Sequence, residues 1–167
     1  MPLAPTDCLM RVAILTISDS VSRGEREDLS GPALVARCRG LGWAVSSALR
    51  CSDDPAEVRS QLREIADSAR ADIILTTGGT GLGPRDTTPE ATLDVADRAI
   101  PGIAEEIRRK GVEKTSTAVL SRGVAIIRHK TIIINLPGSP KGAVESLDAI
   151  AHILPHAVEV LRGAHHD

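Results

Sequence analysis

Aromatic side chains are nearly missing: the 167 residues contain no Phe and no Tyr, and Trp43 is the one Trp. Proteins that hold single strands stack bases on aromatic rings, so that class is excluded. A dominant charge is missing too. Lys and Arg number 20 against 22 Asp and Glu, a formal net charge of −2. No global field therefore gathers nucleic acid or an anionic membrane. No apolar run approaches transmembrane length, and the stretch from Met1 to Asp7 has neither the basic nor the apolar segment of a leader. Cys8, Cys38 and Cys51 are odd in number and widely spaced, without the C-x-x-C pair that zinc or redox chemistry uses. These absences predict a soluble, cytoplasmic protein with reduced thiols.

Two nucleotide signatures are also absent. There is no G-x-x-x-x-G-K-[ST], and Thr80-Gly81-Leu82-Gly83 lacks the third glycine of a dinucleotide fingerprint. His152 and His156 have a spacing that suits zinc on a helix face, but Pro155 interrupts them and no third ligand is near in sequence, so they are expected at the surface. No G-x-S-x-G elbow occurs; Ser139, in Pro-Gly-Ser-Pro, is expected to be a helix cap or a ligand contact.

What remains is aliphatic. With 42% hydrophobic residues, the chain suffices for one domain over residues 1–167, with frayed ends at 1–10 and 163–167. The most informative stretch runs from Asp72 to Ala91. Ile73-Ile74-Leu75 with two threonines suits a strand covered on both faces. Gly78, Gly79, Gly81 and Gly83 then let backbone N–H groups approach an anion. Thr87 or Thr88 is expected to cap a helix with Pro89 and Glu90 in its first turn, whose positive end would face that anion. Arg85-Asp86 at the loop exit exceeds what a plain connection needs.

Along the chain, Val12 to Ile17 predicts a buried strand ending in Ser18-Asp19-Ser20, where α/β proteins place ligands. A charged loop, Ser22 to Asp28, is either solvated or able to close over a ligand. Helices are expected from Ser30 to Gly40, after Asp54-Pro55 with Val58, Leu62, Ile65 and Ala69 buried, from Ala91 to Ala99, from Pro101 to Gly111, and after Ser139. Asp54 with Glu57 has capping-box spacing, which leaves Asp53 over; spacing alone makes it solvated. Trp43 to Leu49 predicts a second strand. The segment from Thr115 to Gly123 either lines a site or forms a turn. Val124 to Ile127 and Thr131 to Leu136 predict a hairpin, one antiparallel pair in a parallel sheet. The sum is a three-layer α/β/α domain with a mixed, mainly parallel sheet, both glycine-containing loops on one edge.

Four elements occur in order: Thr76-Thr77-Gly78-Gly79-Thr80-Gly81, then Arg85-Asp86-x-Thr88-Pro89-Glu90-Ala91, then Leu120-Ser121-Arg122, then Leu136-Pro137-Gly138-Ser139-Pro140-Lys141. This set closely resembles the MogA/MoaB-type molybdenum cofactor biosynthesis proteins, including the corresponding plant G domain, over nearly the whole chain. The resemblance implies a molybdopterin-binding fold and an enzyme, molybdopterin adenylyltransferase, that converts molybdopterin and Mg-ATP to adenylylated molybdopterin and pyrophosphate. It makes Asp53 and Asp86 the essential pair, with Mg²⁺ between them and ATP phosphates, and so reverses the solvated reading of Asp53. Thr77, Gly78, Gly79, Thr80, Gly81 and Arg85 are then expected to hold ATP, and Ser18, Asp19, Ser121, Gly138, Ser139 and Lys141 the molybdopterin. Ser52 stands where the family commonly has proline, and Ile103 where Phe is expected. A homotrimer, or a hexamer, is implied. The competing readings are a non-catalytic molybdopterin-binding paralogue and a relative of CinA-type domains acting on other nucleotides.

Overall fold

The computed structural model describes residues 9–163. The elements, in chain order, are β1 (Arg11–Ile17), α1 (Asp19–Ser22), α2 (Ser30–Gly40), β2 (Ala44–Cys51), α3 (Pro55–Asp67), β3 (Ile73–Thr77), α4 (Thr88–Asp94), β4 (Arg98–Ala99) and α5 (Pro101–Val112). A short 3₁₀ turn, Ser116–Leu120, follows, then β5 (Ala125–Arg128), β6 (Thr131–Leu136), α6 (Pro140–Ile150) and α7 (Leu154–Leu161).

Period-two alternation sorts the buried runs onto two faces. Val12, Ile14, Ile73, Leu75, Ile132 and Ile134 point to the side covered by α2, α5, α6 and α7. Ala13, Leu15, Ile74, Ile126 and Ile133 point to the side covered by α3 and α4. Runs such as Ile132-Ile133-Ile134 are uninterrupted because both faces are dry, and the three-layer expectation holds. The sheet order is β2-β1-β3-β6-β5-β4. The first four strands are parallel; β5 is antiparallel to β6, and β4 to β5.

That second antiparallel pair corrects the sequence expectation. The predicted helix from Ala91 to Ala99 stops at Asp94, and Arg98–Ala99 joins the sheet edge instead. Leu93 is exposed and Val95 buried, so the apolar spacing there reports a turn into a strand. Ala69 is likewise not on the buried face of α3: the helix ends at Asp67, Ala66 takes the core position, and Ala69 adopts φ +58°. Asp54 caps α3 as expected, accepting from Ala56 N–H at 3.1 Å. Glu57 does not close a capping box; it reaches two residues further back, to the Ser52 amide and hydroxyl. The frayed ends expected at 1–10 and 163–167 lie mostly outside the described residues, as do Cys8, His165 and His166. Met10 is buried, and its carbonyl accepts from Ala44 N–H at 2.9 Å.

Across the sheet, Asn135 of β6 uses its whole amide. Its Nδ2 donates to Thr76 and Thr92 hydroxyls at 3.0 Å each, and its Oδ1 accepts from Val124 N–H at 3.1 Å. This ties β3, α4 and the approach to β5 at the depth where the strands end. At the opposite end Asp72, buried beside β3, accepts from the Arg11 amide at 2.8 Å, Arg11 Nη2 at 3.0 Å and Arg162 Nη2 at 2.7 Å. Burial pushes its pKa up, but these hydrogen bonds outweigh burial and hold it below the ordinary carboxylate range. A depressed folded pKa adds stability above the unfolded value of about 3.9 and loses it as pH falls through the folded one. Asp72→Asn should lower the unfolding free energy by about 2 kcal/mol at neutral pH. Urea denaturation over a pH series should show the gap to the parent closing under acid; a gap that stays constant overturns the assignment.

Candidate functional site

The carboxyl ends of β1, β3 and β6 meet, and the loops leaving them form one edge. Gly78 follows β3 at φ +107°, and a Cβ there would lie 2.3 Å from the Ile17 carbonyl oxygen. Gly79 follows at φ +71°, where a Cβ would fall 2.1 Å from Thr88 Oγ1 and 3.3 Å from Asp53 Oδ1. Both glycines are therefore required by close approach as well as by φ. Gly78 N–H is not free for a ligand, since it donates to Leu136 O at 3.1 Å, stitching the two glycine loops together. The amides of Gly79, Thr80 and Gly81 have no acceptor among the described residues. These are unpaired donors of the kind that the glycine pattern is expected to present to an anion.

Asp53, Asp19 and Asp86 converge beside these amides. Asp53 and Asp19 exchange backbone bonds: Asp19 N–H donates to Asp53 Oδ2, and Asp53 N–H to Asp19 Oδ1, both at 2.9 Å. Ser18 makes this possible by ending β1 and capping α1, its hydroxyl accepting from Val21 N–H at 3.3 Å. Arg85 forks onto Asp19, with Nε and Nη2 each 3.0 Å from a carboxylate oxygen. Asp86 Oδ2 accepts from Gly83 N–H at 2.9 Å.

The electrostatics separate the aspartates. The Arg85 hydrogen bonds hold Asp19 below the usual carboxylate range, and the Asp53 amide adds to this. Burial pushes Asp53 up; the Asp19 and Asp86 charges add to the rise, while the Asp19 amide and Arg85 oppose it. The neighbouring Cys51 thiol is pushed by burial to about 12, so it stays protonated and inert.

A cleft of about 620 Å³ opens at this edge, lined by Ser18, Asp53, Asp86, Thr77, Gly78, Gly79, Gly138 and Ser139. Arg26, Glu27 and Asp28, from the charged loop after α1, wall its other side, and Arg26 is the one cation among its described lining residues. The Thr16 hydroxyl on its floor is buried with no hydrogen-bond partner, as is that of Thr88 beneath Gly79. Neither Thr87 nor Thr88 caps α4 through its side chain: Thr87 Oγ1 turns to the Asp53 carbonyl at 3.5 Å, and Thr88 Oγ1 faces Gly79.

A second cleft, also about 620 Å³, lies between α5, the 3₁₀ turn and α6. Ser121 opens into this one, together with Lys110, Lys114 and His152. Ser139 borders both clefts. Thus Asp53, Asp86, Ser18, Thr77, Gly78, Gly79 and Gly138 come together, and Ser121 stands apart across Ser139. Thr80 and Gly81 continue the loop, and Arg85 is engaged by Asp19. Lys141 lines neither cleft; its side chain is 88% exposed, with the ammonium 3.9 Å from Glu145. Sequence reasoning assigned no role to Arg26, Asp28 or Thr16. The one signal for Arg26 and Asp28 was the charged loop between β1 and α2, whose direction nothing in the pattern set; Thr16 lies within β1, where it read only as part of the strand.

Fold and site define an α/β protein with unpaired loop amides and converging carboxylates at the carboxyl edge of a parallel sheet. The comparisons narrow this. Residues 13–156 match the family described as a probable molybdopterin binding domain, and the chain belongs to that family. It is 37% identical over 158 residues to the molybdopterin adenylyltransferase of Escherichia coli K12, covering 89% of this chain and 80% of that one. It is 36% identical over 166 residues to the molybdenum cofactor biosynthesis bifunctional protein of Synechococcus elongatus, but spans only 52% of that longer protein. The crystal structure of the molybdopterin biosynthesis enzyme MoaB from Thermus thermophilus superimposes with a TM-score of 0.88 at 49% identity, over 93% of this chain and 98% of that one.

The raised pKa of Asp53 has a stability consequence. An acid whose folded pKa lies above its unfolded one stabilises the fold at low pH and loses that contribution as pH rises through the folded value. Asp53→Asn keeps an oxygen for the Asp19 amide and removes the charge. Its denaturation midpoint should exceed the parent's at neutral pH and converge on it under acid. A lower neutral midpoint overturns this.

Proposed function

We propose that the protein is a molybdopterin adenylyltransferase of molybdenum cofactor biosynthesis, with ATP and molybdopterin as substrates. The observation that carries the reading is the meeting of Asp53 and Asp86 beside unpaired loop amides in one cleft, with a second cleft joined to it at Ser139. The adenylyltransferase relatives support it.

In the proposed reaction a terminal phosphate oxygen of molybdopterin attacks the α-phosphorus of ATP. A new P–O bond forms, the α–β anhydride bond breaks, and pyrophosphate leaves with the electron pair. The nucleophile is already an anion, so no general base is needed; the difficulty is holding two anions together. The amides of Gly79, Thr80 and Gly81 cradle phosphate oxygens, and Arg26 adds a cation at the lip of the same cleft. Ser121 and Ser139 orient the pterin end from the second cleft, with Gly138 letting the chains approach at their junction.

The donor set suits Mg²⁺. Asp53 and Asp86 each have one carboxylate oxygen held by an amide and the other unengaged among the described residues. Their hard oxygens match a cation that takes one or two carboxylates together with substrate phosphates, and no larger cluster of metal-binding side chains occurs among the described residues. Bound there, Mg²⁺ supplies charge neutralisation between carboxylates and phosphates. Among the described residues no helix is long and apolar enough to cross a membrane. We place the protein in the cytoplasm, in keeping with its unpaired thiols Cys38 and Cys51, and as a homotrimer, with sedimentation to distinguish a hexamer.

Incubation with molybdopterin and Mg-ATP should yield adenylylated pterin and pyrophosphate in equal amounts; pterin binding without pyrophosphate release overturns the enzyme reading. Asp53→Asn and Asp86→Asn should each lower kcat on the order of 100-fold with the fold intact by circular dichroism. Arg26→Ala should raise the KM for ATP about 10-fold and leave kcat near the parent value, as loss of uniform binding requires. An unchanged KM removes Arg26 from the site.

A further inference from the structure

We infer that Arg122 is a positioning residue for Asp86: its guanidinium closes the loop after the glycine cradle into a ring that fixes the Asp86 carboxylate at the cleft. Nε donates to Gly81 O at 2.9 Å and Nη2 to Asp86 O at 2.5 Å, so one planar group spans both ends of the loop. Nη1 pairs with Glu90 in the first turn of α4. The Arg122 amide itself donates to Thr80 O at 2.9 Å. Every one of these bonds goes to the glycine loop or to the helix it feeds.

Apart from the Arg85 fork onto Asp19, the loop has little else to hold it. Leu82, Gly83, Pro84 and Arg85 are exposed, Leu82 to 67%. Its internal bonds are Gly83 N–H to Asp86 Oδ2 at 2.9 Å and Asp86 N–H to Gly83 O at 3.0 Å. A Cβ on Gly81 or Gly83 would come within 2.9 Å of Asp86 Oδ2, so the carboxylate lies against bare backbone on the inner side of the ring. Its position therefore depends on where the loop ends are; the Arg122 fork joins the two ends to each other, while the Arg85 fork ties only the exit, to Asp19. Lysine offers a point charge that cannot bridge two carbonyls and a carboxylate at once. The anchor comes from a rigid place: Arg108 of α5 donates to Ser121 O at 3.2 Å and to Gly123 O at 2.9 Å, immobilising the backbone on both sides of Arg122.

The activity readout rests on the adenylyl-transfer reading. Arg122→Lys and Arg122→Ala are assayed for adenylylated product across a Mg²⁺ titration, with added guanidinium as a rescue arm. A misplaced reacting group costs on the order of 100-fold, so kcat should fall by about that factor in both variants. The KM for ATP should stay near the parent value, half-saturating Mg²⁺ should rise, and free guanidinium should restore part of kcat to Arg122→Ala only. Wild-type kcat in Arg122→Lys, or losses that match only the unfolded fraction, overturns the proposal. If the parent protein makes no adenylylated product, the adenylyl-transfer reading fails, and the clamp is decided by hydrogen exchange. Amides of Gly83 and Asp86 should then exchange faster in Arg122→Lys than in the parent while those of β3 stay protected; equal loop exchange overturns the clamp.

Discussion

The close approach of three strand ends governs this molecule. Ile17 O, Gly78 and Leu136 O belong to β1, the loop after β3, and β6, and they meet with no room for a side chain at Gly78. Parallel pairing delivers those ends to one edge, and the Gly78 amide is spent joining them. This contact dictates the path of the chain beyond it. Gly79 must turn over Thr88, its carbonyl accepts the Thr88 amide, and the Thr80 and Gly81 amides that follow have no acceptor among the described residues. Gly138 packs on the same point, a Cβ there falling 3.4 Å from Gly78 Cα, so the second glycine loop is held against the first. The path of the glycine loop is thus a by-product of how the strand ends pack at this edge.

Around that rigid centre the charges oppose one another. Asp53 is held near two other carboxylates by backbone amides, and Arg85, the one guanidinium hydrogen-bonded to any of these carboxylates among the described residues, is drawn onto Asp19. A solvated surface would not retain such a grouping, because each carboxylate raises the cost of ionising the next. The Asp19–Arg85 fork favours the anionic form of Asp19, while Asp53 feels Arg85 only at a distance and has no cation bonded to it among the described residues. A buried carboxylate so placed is costly to the fold, which is the pattern expected of a group retained for binding.

Much of this was legible in the chain. Aliphatic runs without helical period marked β1 as buried and β3 as covered on both faces, and Asp54-Pro55 marked the start of α3. The glycine pattern located the edge, and the family resemblance carried by the ordered motifs implied a role for Asp53, which spacing alone left as solvated. The failures have physical causes. Arg98–Ala99 is too short to show alternation, so β4 was absorbed into a helix. Glu57 found Ser52 before Asp54, because both ends of the pair are polar and local. Loop side chains were the least accessible: nothing in Arg26-Glu27-Asp28 says which way the loop folds, and nothing in Arg85-Asp86 says that the cation would turn to Asp19. Sequence patterns report burial and backbone conformation; partner choice among exposed charges is decided by tertiary placement.

That placement also explains why two clefts meet where they do. Ser121 opens into one cleft, while its neighbour Arg122 reaches across to the loop bordering the other. Ser139 borders both and, by capping α6 through the Gly142 amide at 3.0 Å, is itself fixed. A single segment and a single cap therefore define the boundary between the clefts, and neither can shift without moving something on both sides. In the proposed reaction, which joins two anionic molecules, this is the region where the reacting ends would meet. Each cleft separately needs only to bind; the shared wall has to align. The rigidity found there, in the Arg108 bonds, the Arg122 fork and the Ser139 cap, falls where alignment demands it, and the exposed residues from Leu82 to Arg85 lie just outside.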